Sequence, residues 1–203
     1  MGLKDIKKDI IIGAALELFL KGDINSVTIK QIADYIEVGE ATMYRYFVNK
    51  QNIINLCAQK LGKNVFKDYF NLDEFRTGFN KMEEFYNNFL YVFKEHPEYY
   101  RFINDFDIYM FGETTYNLTP YEDFIDKFKD LYMAIYKEGV ADGTINKVNE
   151  IEVYYYATTK SLIQLCKKEA YPTGMLRQDN SISKEKEVMT LVNLFLSTFK
   201  KGA

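Results

Sequence analysis

Few residues of this 203-residue chain could do covalent or metal chemistry. Two cysteines, Cys57 and Cys166, lie far apart, and the single histidine is His96. With no sign of a secretory leader, two distant cysteines read as free thiols rather than as a disulfide. One histidine excludes His-rich metal sites and most His-dependent catalysis, and no cofactor or metal is expected. A helical metal–carboxylate centre wants Glu-x-x-His, whereas His96 has Phe93 three residues before it and Pro97 after it. No nucleophile elbow, phosphate loop, metal motif or dinucleotide fingerprint occurs. Acidic pairs such as Glu83-Glu84 and Glu122-Asp123 are sequence neighbours, so they diverge around a helix and read as solvated surface. The chain is not expected to be an enzyme.

The remaining chemistry is hydrogen bonding and ion pairing with a polyanion. The octapeptide Glu40-Ala41-Thr42-Met43-Tyr44-Arg45-Tyr46-Phe47 has the pattern of a short helix with two faces. Met43 and Phe47 are four apart and face inward. Glu40, Ala41, Thr42, Tyr44, Arg45 and Tyr46 are left for a duplex. Such a helix is thin enough for a major groove about 12 Å wide. Hydroxyls and cations would hold phosphates, and groove-facing side chains would read bases. Net charge is −3 overall, which does not by itself suggest a nucleic-acid binder. Residues 1–70, however, carry 10 Lys/Arg against 8 Asp/Glu, and the remainder 16 against 21. That direction suits a DNA-contacting front and an acidic back.

The elements that must position this helix are all helical. Apolar residues recur at three and four throughout, and no run of strands is expected. A first helix is predicted over 4–21, with Ile6, Ile10, Ala14 and Leu18 stepping by four, stopped at Gly22-Asp23. Thr28 and Gln31 form a capping box that opens a short helix to Tyr35. A turn Ile36-Glu37-Val38-Gly39 follows, where Gly39 suits either a positive φ or an N-cap. After the octapeptide, Asn49 caps a long helix from Lys50 to about Phe70. Further helices are predicted near 72–95, 97–111, 120–141, 149–170 and 184–200. Pro97 and Pro120 fall in first turns, and Tyr171 through Ser183 is a loop.

Two short helices joined by a tight turn, with another packed behind, make a helix-turn-helix. Residues 10–54 resemble the DNA-binding domain of the TetR family of transcriptional regulators. The resemblance rests on Ala14-Ala15-Leu16-Glu17-Leu18-Phe19, Thr28-Ile29-Lys30-Gln31-Ile32-Ala33, Val38-Gly39-Glu40-Ala41-Thr42-Met43-Tyr44 and Tyr46-Phe47-Val48-Asn49-Lys50, in order and at fixed spacing. By position it implies phosphate contacts from Tyr44, Tyr46 and Lys50, with Thr28 and Lys30 beside the backbone. Thr42 and Arg45 are the candidates for base contact. The chain departs from the family pattern in having Gly39 for the usual Ser and Ala41 for the usual Gly. Glu40 is an acid that could accept from cytosine N4.

The resemblance also implies a helical domain that binds a small effector and pairs two subunits. The chain holds 17 Tyr and 16 Phe, most of them after residue 65. Phe85, Tyr86, Phe89, Phe102, Phe106, Tyr109, Phe128, Tyr132 and Tyr155 recur at helical spacing as candidate pocket residues. They would suit a small apolar or aromatic/cationic effector. An ordinary aromatic core is the competing reading. Ile151, Thr158 and Leu162, with Tyr154 beside them, and Leu191, Phe195 and Phe199 form stripes on the last two helices. Apolar residues beside these stripes widen them, so each helix needs a second neighbour. Pairing with symmetry mates would make a four-helix homodimer interface.

Composition is consistent with a folded chain: 47% hydrophobic and 27% charged is too apolar for disorder. No uncharged apolar stretch of about 18 residues predicts a membrane span, and the charged N-terminus predicts no export. The expectation is a cytoplasmic all-α chain, with a helix-turn-helix DNA-binding domain at 1–48 and a helical effector-binding and dimerisation domain at 49–203. As a ligand-released repressor it would bind a pseudo-palindromic double-stranded DNA operator. The alternative is a helical small-molecule-binding or scaffolding protein without DNA binding.

Overall fold

A computed structural model describes residues 2–73, 75–111, 119–171 and 182–200, apart from the side chains of 119–124. Among the described residues there are helices and no strands. The helices are α1 (Leu3–Lys21), α2 (Ile29–Tyr35), α3 (Glu40–Tyr46), α4 (Lys50–Tyr69), α5 (Gly78–Glu95), α6 (Pro97–Met110), α7 (Thr119–Ala141), α8 (Ile151–Glu169) and α9 (Lys184–Ser197). The loop predicted from Tyr171 to Ser183 lies largely outside the described residues.

Local chemistry sets most boundaries. Thr28 Oγ1 accepts from the Gln31 N–H at 3.1 Å, and Gln31 Oε1 accepts from the Thr28 N–H at 2.8 Å, the reciprocal capping box at the head of α2. Asn49 Oδ1 accepts from the Asn52 N–H at 2.9 Å and opens α4. Ser183 does the same for α9, accepting from the Lys186 N–H at 3.2 Å.

Two expectations are corrected. The helix predicted from residue 72 starts at Gly78. Asp73 Oδ1 takes the Phe75 N–H at 3.0 Å, holding the chain in a local side-chain turn until Thr77 caps the helix. In α1, the stripe Ile6, Ile10, Ala14 and Leu18 does not face the core. Ile6 is 43% and Ile10 58% exposed, and the buried face is Ile11, Ile12, Ala15, Leu16 and Phe19. Both faces of α1 have helical apolar spacing, and the tertiary partners of the second one decide the orientation.

The chain divides into two compact units. The first comprises residues 1–64 and 101–124, and so contains α1 to α3, most of α4 and most of α6. In it α1 packs on α2 and α2 on α3. Its buried side chains include Phe19, Ile24, Ile32, Met43, Phe47, Ile53, Ile54 and Leu61. Phe102 of α6 meets Phe19 of α1 with ring centres 6.2 Å apart. The Cys57 thiol is fully buried in α4 and reaches the Ile12 carbonyl at 3.5 Å.

The second unit comprises residues 65–100 and 125–203, in which α5, α8 and α9 pack on one another. Its core is aromatic: Phe70, Phe85, Tyr86, Phe89, Tyr132 and Phe199 are buried together. Phe70 meets Phe89 at 5.1 Å and Phe128 at 4.9 Å, both edge-on, the geometry that the ring quadrupoles favour. Helices α5 and α7 cross at two glycines so closely that a Cβ on Gly78 would lie 2.1 Å from the Gly139 Cα. The turn after α7 then caps α5. Asp142 Oδ2 accepts from the Gly78 N–H at 2.8 Å, and Thr144 Oγ1 accepts from the Phe79 N–H at 3.0 Å.

Candidate nucleic-acid interface

Helix α3 is presented by its own two faces. Met43 and Phe47, 1% and 2% exposed, anchor it in the core of the first unit. Glu40, Ala41, Tyr44 and Arg45 are exposed, and Thr42 and Tyr46 are half-buried. The octapeptide therefore divides as its spacing predicts. Lys30 on α2 and Thr28 at its N-cap are exposed as well.

The turn that aims α3 is a Schellman motif. Val38 N–H donates to the Ala33 carbonyl at 2.9 Å, and Glu37 N–H donates to the Asp34 carbonyl at 3.2 Å. Glu37 adopts the left-handed φ of 56° that this motif requires. Gly39 is not the left-handed residue. With φ −74° and ψ 147° it is the N-cap of α3, without a side chain to accept a hydrogen bond.

Lys50 opens α4 and does two things in the first unit. Its ammonium donates to the Asn25 carbonyl at 3.2 Å and lies 6.0 Å from the centre of the Tyr109 ring. Burial draws its pKa down, with Asp23 opposing that shift. Lys50 thus fastens the start of α4 to the turn before α2. Asp23 organises that turn by accepting the backbone N–H groups of Asn25 at 2.8 Å and Ser26 at 2.9 Å. Sequence reasoning misses Asn25, because a carbonyl that becomes an acceptor through a long-range contact leaves no local signal.

The aromatic candidates fall into two groups. Phe85, Tyr86, Phe89, Phe128, Tyr132 and Tyr155 come together in the second unit. Phe102, Phe106 and Tyr109 belong to the first. The second-unit group is a close-packed core around three hydroxyls. Tyr86 Oη lies 2.8 Å from Thr158 Oγ1 and 3.1 Å from Tyr132 Oη. Thr158 Oγ1 in turn donates to the Tyr154 carbonyl at 2.8 Å. Desolvation pushes the Tyr86 and Tyr132 phenols far above their ordinary pKa. A shallow groove of about 330 Å³ lies elsewhere on this unit, lined by Thr77, Phe79, Asn80, Thr144 and Lys200.

The stripe predicted on α8 and α9 is also divided. Thr158, Leu162 and Phe199 are buried inside the unit. Ile151, Tyr154, Leu191 and Phe195 are half-buried. Tyr154 is held by its hydroxyl, which donates to the Phe195 carbonyl at 2.8 Å. The apolar residues that α8 and α9 leave exposed are Val153 (62%), Tyr156, Met189 and Leu194 (61%). Tyr86 of α5 meets Thr158 and the Phe195 ring, whereas Phe199 meets Tyr132 and Tyr136 of α7.

A capped helix, a Schellman turn and a short helix with an anchored inner face and a polar outer face define a class, the helix-turn-helix DNA-binding regulators. Residues 11–57 match the family model described as bacterial regulatory proteins, tetR family. The HTH-type transcriptional regulator QacR of Staphylococcus aureus is 27% identical over 150 residues, 71% of this chain and 77% of that one. Among solved structures, a transcriptional regulator from Cytophaga hutchinsonii shares the fold with a TM-score of 0.71 at 18% identity, covering 96% of this chain and 99% of its own. FadR from Bacillus subtilis, solved in complex with stearoyl-CoA, aligns with a TM-score of 0.65 at 16% identity over 93% and 97% of the two chains. Over residues 11–57 the chain is thus similar to the tetR family of bacterial regulatory proteins, and its helix-turn-helix is that of a DNA-binding transcriptional regulator. Among the described residues no helix is long and apolar enough to cross a membrane.

Proposed function

We propose that the chain is a ligand-released repressor that acts as a homodimer on a pseudo-palindromic operator in the cytoplasm. The observation that carries this reading is α3 itself: Met43 and Phe47 are sunk in the core, while Glu40, Ala41, Thr42, Tyr44 and Arg45 face outward. In this reading residues 1–48 bind DNA, and residues 49–203 bind the effector and pair the subunits. Thr42 and Arg45 read base edges, whereas Thr28, Lys30, Tyr44, Tyr46 and Lys50 hold phosphates and set register. Two such helices in one dimer would sit about 34–36 Å apart and enter successive major grooves.

The effector would enter the aromatic core of the second unit, where the Tyr86, Tyr132 and Thr158 hydroxyls supply polar contacts inside an apolar shell. That the FadR structure carries stearoyl-CoA supports a helical body of this fold opening around a small molecule. Such a lining suits a small effector that is apolar, aromatic or cationic. Release requires the effector to bind the low-affinity state more tightly than the DNA-bound one. A coupling of about 1–3 kcal/mol, or 5–150-fold, would suffice.

The test is a gel-shift series on the DNA upstream of the gene, over a range of salt. The expected result is a discrete complex whose affinity falls steeply with salt. Arg45→Ala should relax sequence preference, and Tyr46→Ala with Lys50→Ala should abolish binding while the protein stays folded. A folded protein that binds no duplex at any salt would favour the non-DNA alternative.

A further inference from the structure

The face of α1 that carries Ile11, Ile12, Ala15 and Phe19 into the core continues one and two turns earlier as Lys8 and Lys4. A helix that only needed packing would put apolar residues there. Lys8 is instead half-buried, with its ammonium 5.9 Å from the centre of the Phe47 ring. Phe47 is the residue that ends α3, and its ring lies 6.3 Å from that of Tyr46. The cation is therefore stationed beside the C-terminal end of the reading helix, held by the ring face and the core beneath it.

The acids around Lys8 are engaged elsewhere. Asp9 Oδ1 accepts from Lys60 Nζ at 2.7 Å, and Asp5 Oδ2 accepts from the Gly2 N–H at 3.0 Å. Among the described residues no carboxylate lies within ion-pair distance of Lys8 or Lys4. A positioned, unneutralised ammonium at the rim of a helix-turn-helix has one obvious counter-charge, a phosphate of the bound strand. Lys8 also lies outside the segment matched by the family model, which begins at residue 11.

We propose that Lys8, with Lys4 one turn before it, is a phosphate-contacting site that extends the DNA interface from α3 onto α1. The inference rests on the DNA-binding reading of α3. Its contribution is electrostatic and independent of sequence. Lys8 is the principal contact, because the Phe47 ring fixes its ammonium, whereas Lys4 is exposed and adds charge without a fixed position.

The experiment measures affinity for a mixed-sequence DNA duplex by fluorescence anisotropy across a salt series. The proteins are wild type, Lys8→Gln, Lys8→Arg and Lys4→Gln/Lys8→Gln, with a thermal melt of each. The log–log salt slope should become shallower by about 0.9 for each phosphate that Lys8→Gln no longer neutralises. Lys8→Arg should keep the wild-type slope. Equal slopes for wild type and Lys8→Gln, with DNA binding intact, would overturn the proposal and leave the reading of α3 standing. A slope as shallow in Lys8→Arg as in Lys8→Gln would also overturn it, because pairing with a phosphate needs only the charge. A wild-type protein that binds no duplex would remove both.

Discussion

The glycine crossing of α5 and α7 allows one substitution to be tested with opposite signs at two places. A Cβ on Gly78 would lie 2.1 Å from the Gly139 Cα and 2.2 Å from its nitrogen, both backbone atoms. Ordinary contact begins near 3.4 Å, so α5 and α7 must part by more than an ångström. Parting them also pulls the Gly78 and Phe79 N–H groups away from Asp142 and Thr144, which lie at 2.8 and 3.0 Å. Overpacking of this kind costs about 1–3 kcal/mol, and the strained caps put Gly78→Ala at the upper end. For a chain of this size that is a fall in Tm of roughly 4–10 °C. Gly13 lies mid-helix in α1, where an added Cβ would meet only Lys60 Cε at 3.9 Å. There the same change relieves the entropy cost of glycine and should stabilise by about 0.5–1 kcal/mol. Gly139→Ala should fall between them, since its Cβ meets the Ile145 side chain, with Cδ1 at 2.4 Å, rather than backbone. Differential scanning fluorimetry on the three variants gives the order. A Gly78→Ala protein that melts with the wild type would refute the close crossing, and with it the account of how α5 is capped.

Three further outcomes follow from the same geometry. Glu37 holds a φ of 56° in the Schellman turn, so Glu37→Gly should raise stability by about 1 kcal/mol in a urea titration and leave DNA affinity within about twofold. The Asp142 carboxyl is held below its ordinary pKa of 3.8, chiefly by the Gly78 N–H, then by Thr144. Its stabilisation is therefore present above the unfolded-state value and lost as pH falls through the lower folded one. Asp142→Ala should cost about 1 kcal/mol near neutrality, as the loss of a cap does. That gap should begin to narrow in urea melts below about pH 4 and close as pH falls through the lower folded value. Burial pushes both thiols up, Cys166 to about 12. The native protein should thus leave both cysteines unlabelled by a thiol reagent at pH values where the urea-unfolded chain reacts at once.

What the sequence made legible was local chemistry. Thr28 with Gln31 announced the head of α2, Asn49 that of α4, and the spacing of Met43 and Phe47 the inner face of α3. Each is a pattern completed within four residues, so nothing distant can change it. The left-handed turn residue was legible only in part. A glycine at 39 drew attention to itself, yet the backbone places the positive φ two residues earlier, at Glu37. There the end of α2, and not the side chain, dictates the conformation.

The less legible features share a different cause. Helix α1 has two apolar stripes, one through Ile6 and Ile10 and one through Ile11, Ile12 and Ala15, and periodicity weighs them equally. What separates them is that α2 and the rest of the first unit stand on one side only, which no window along α1 contains. The same holds for the stripe on α8 and α9, where Tyr86 of α5 takes Thr158 and the α7 tyrosines Tyr132 and Tyr136 take Phe199, and for the aromatics of α6. Phe102 and Tyr100 are two residues apart in one helix, yet they fall in different units: Phe102 meets Phe19, and Tyr100 donates to the Phe89 carbonyl. A helix that serves two units has no single inward face. Its aromatic spacing therefore shows that it is buried, but not against what. For that reason the two faces of α3 could be drawn from sequence residue by residue, while the aromatic residues of the later helices could be drawn only as a composition.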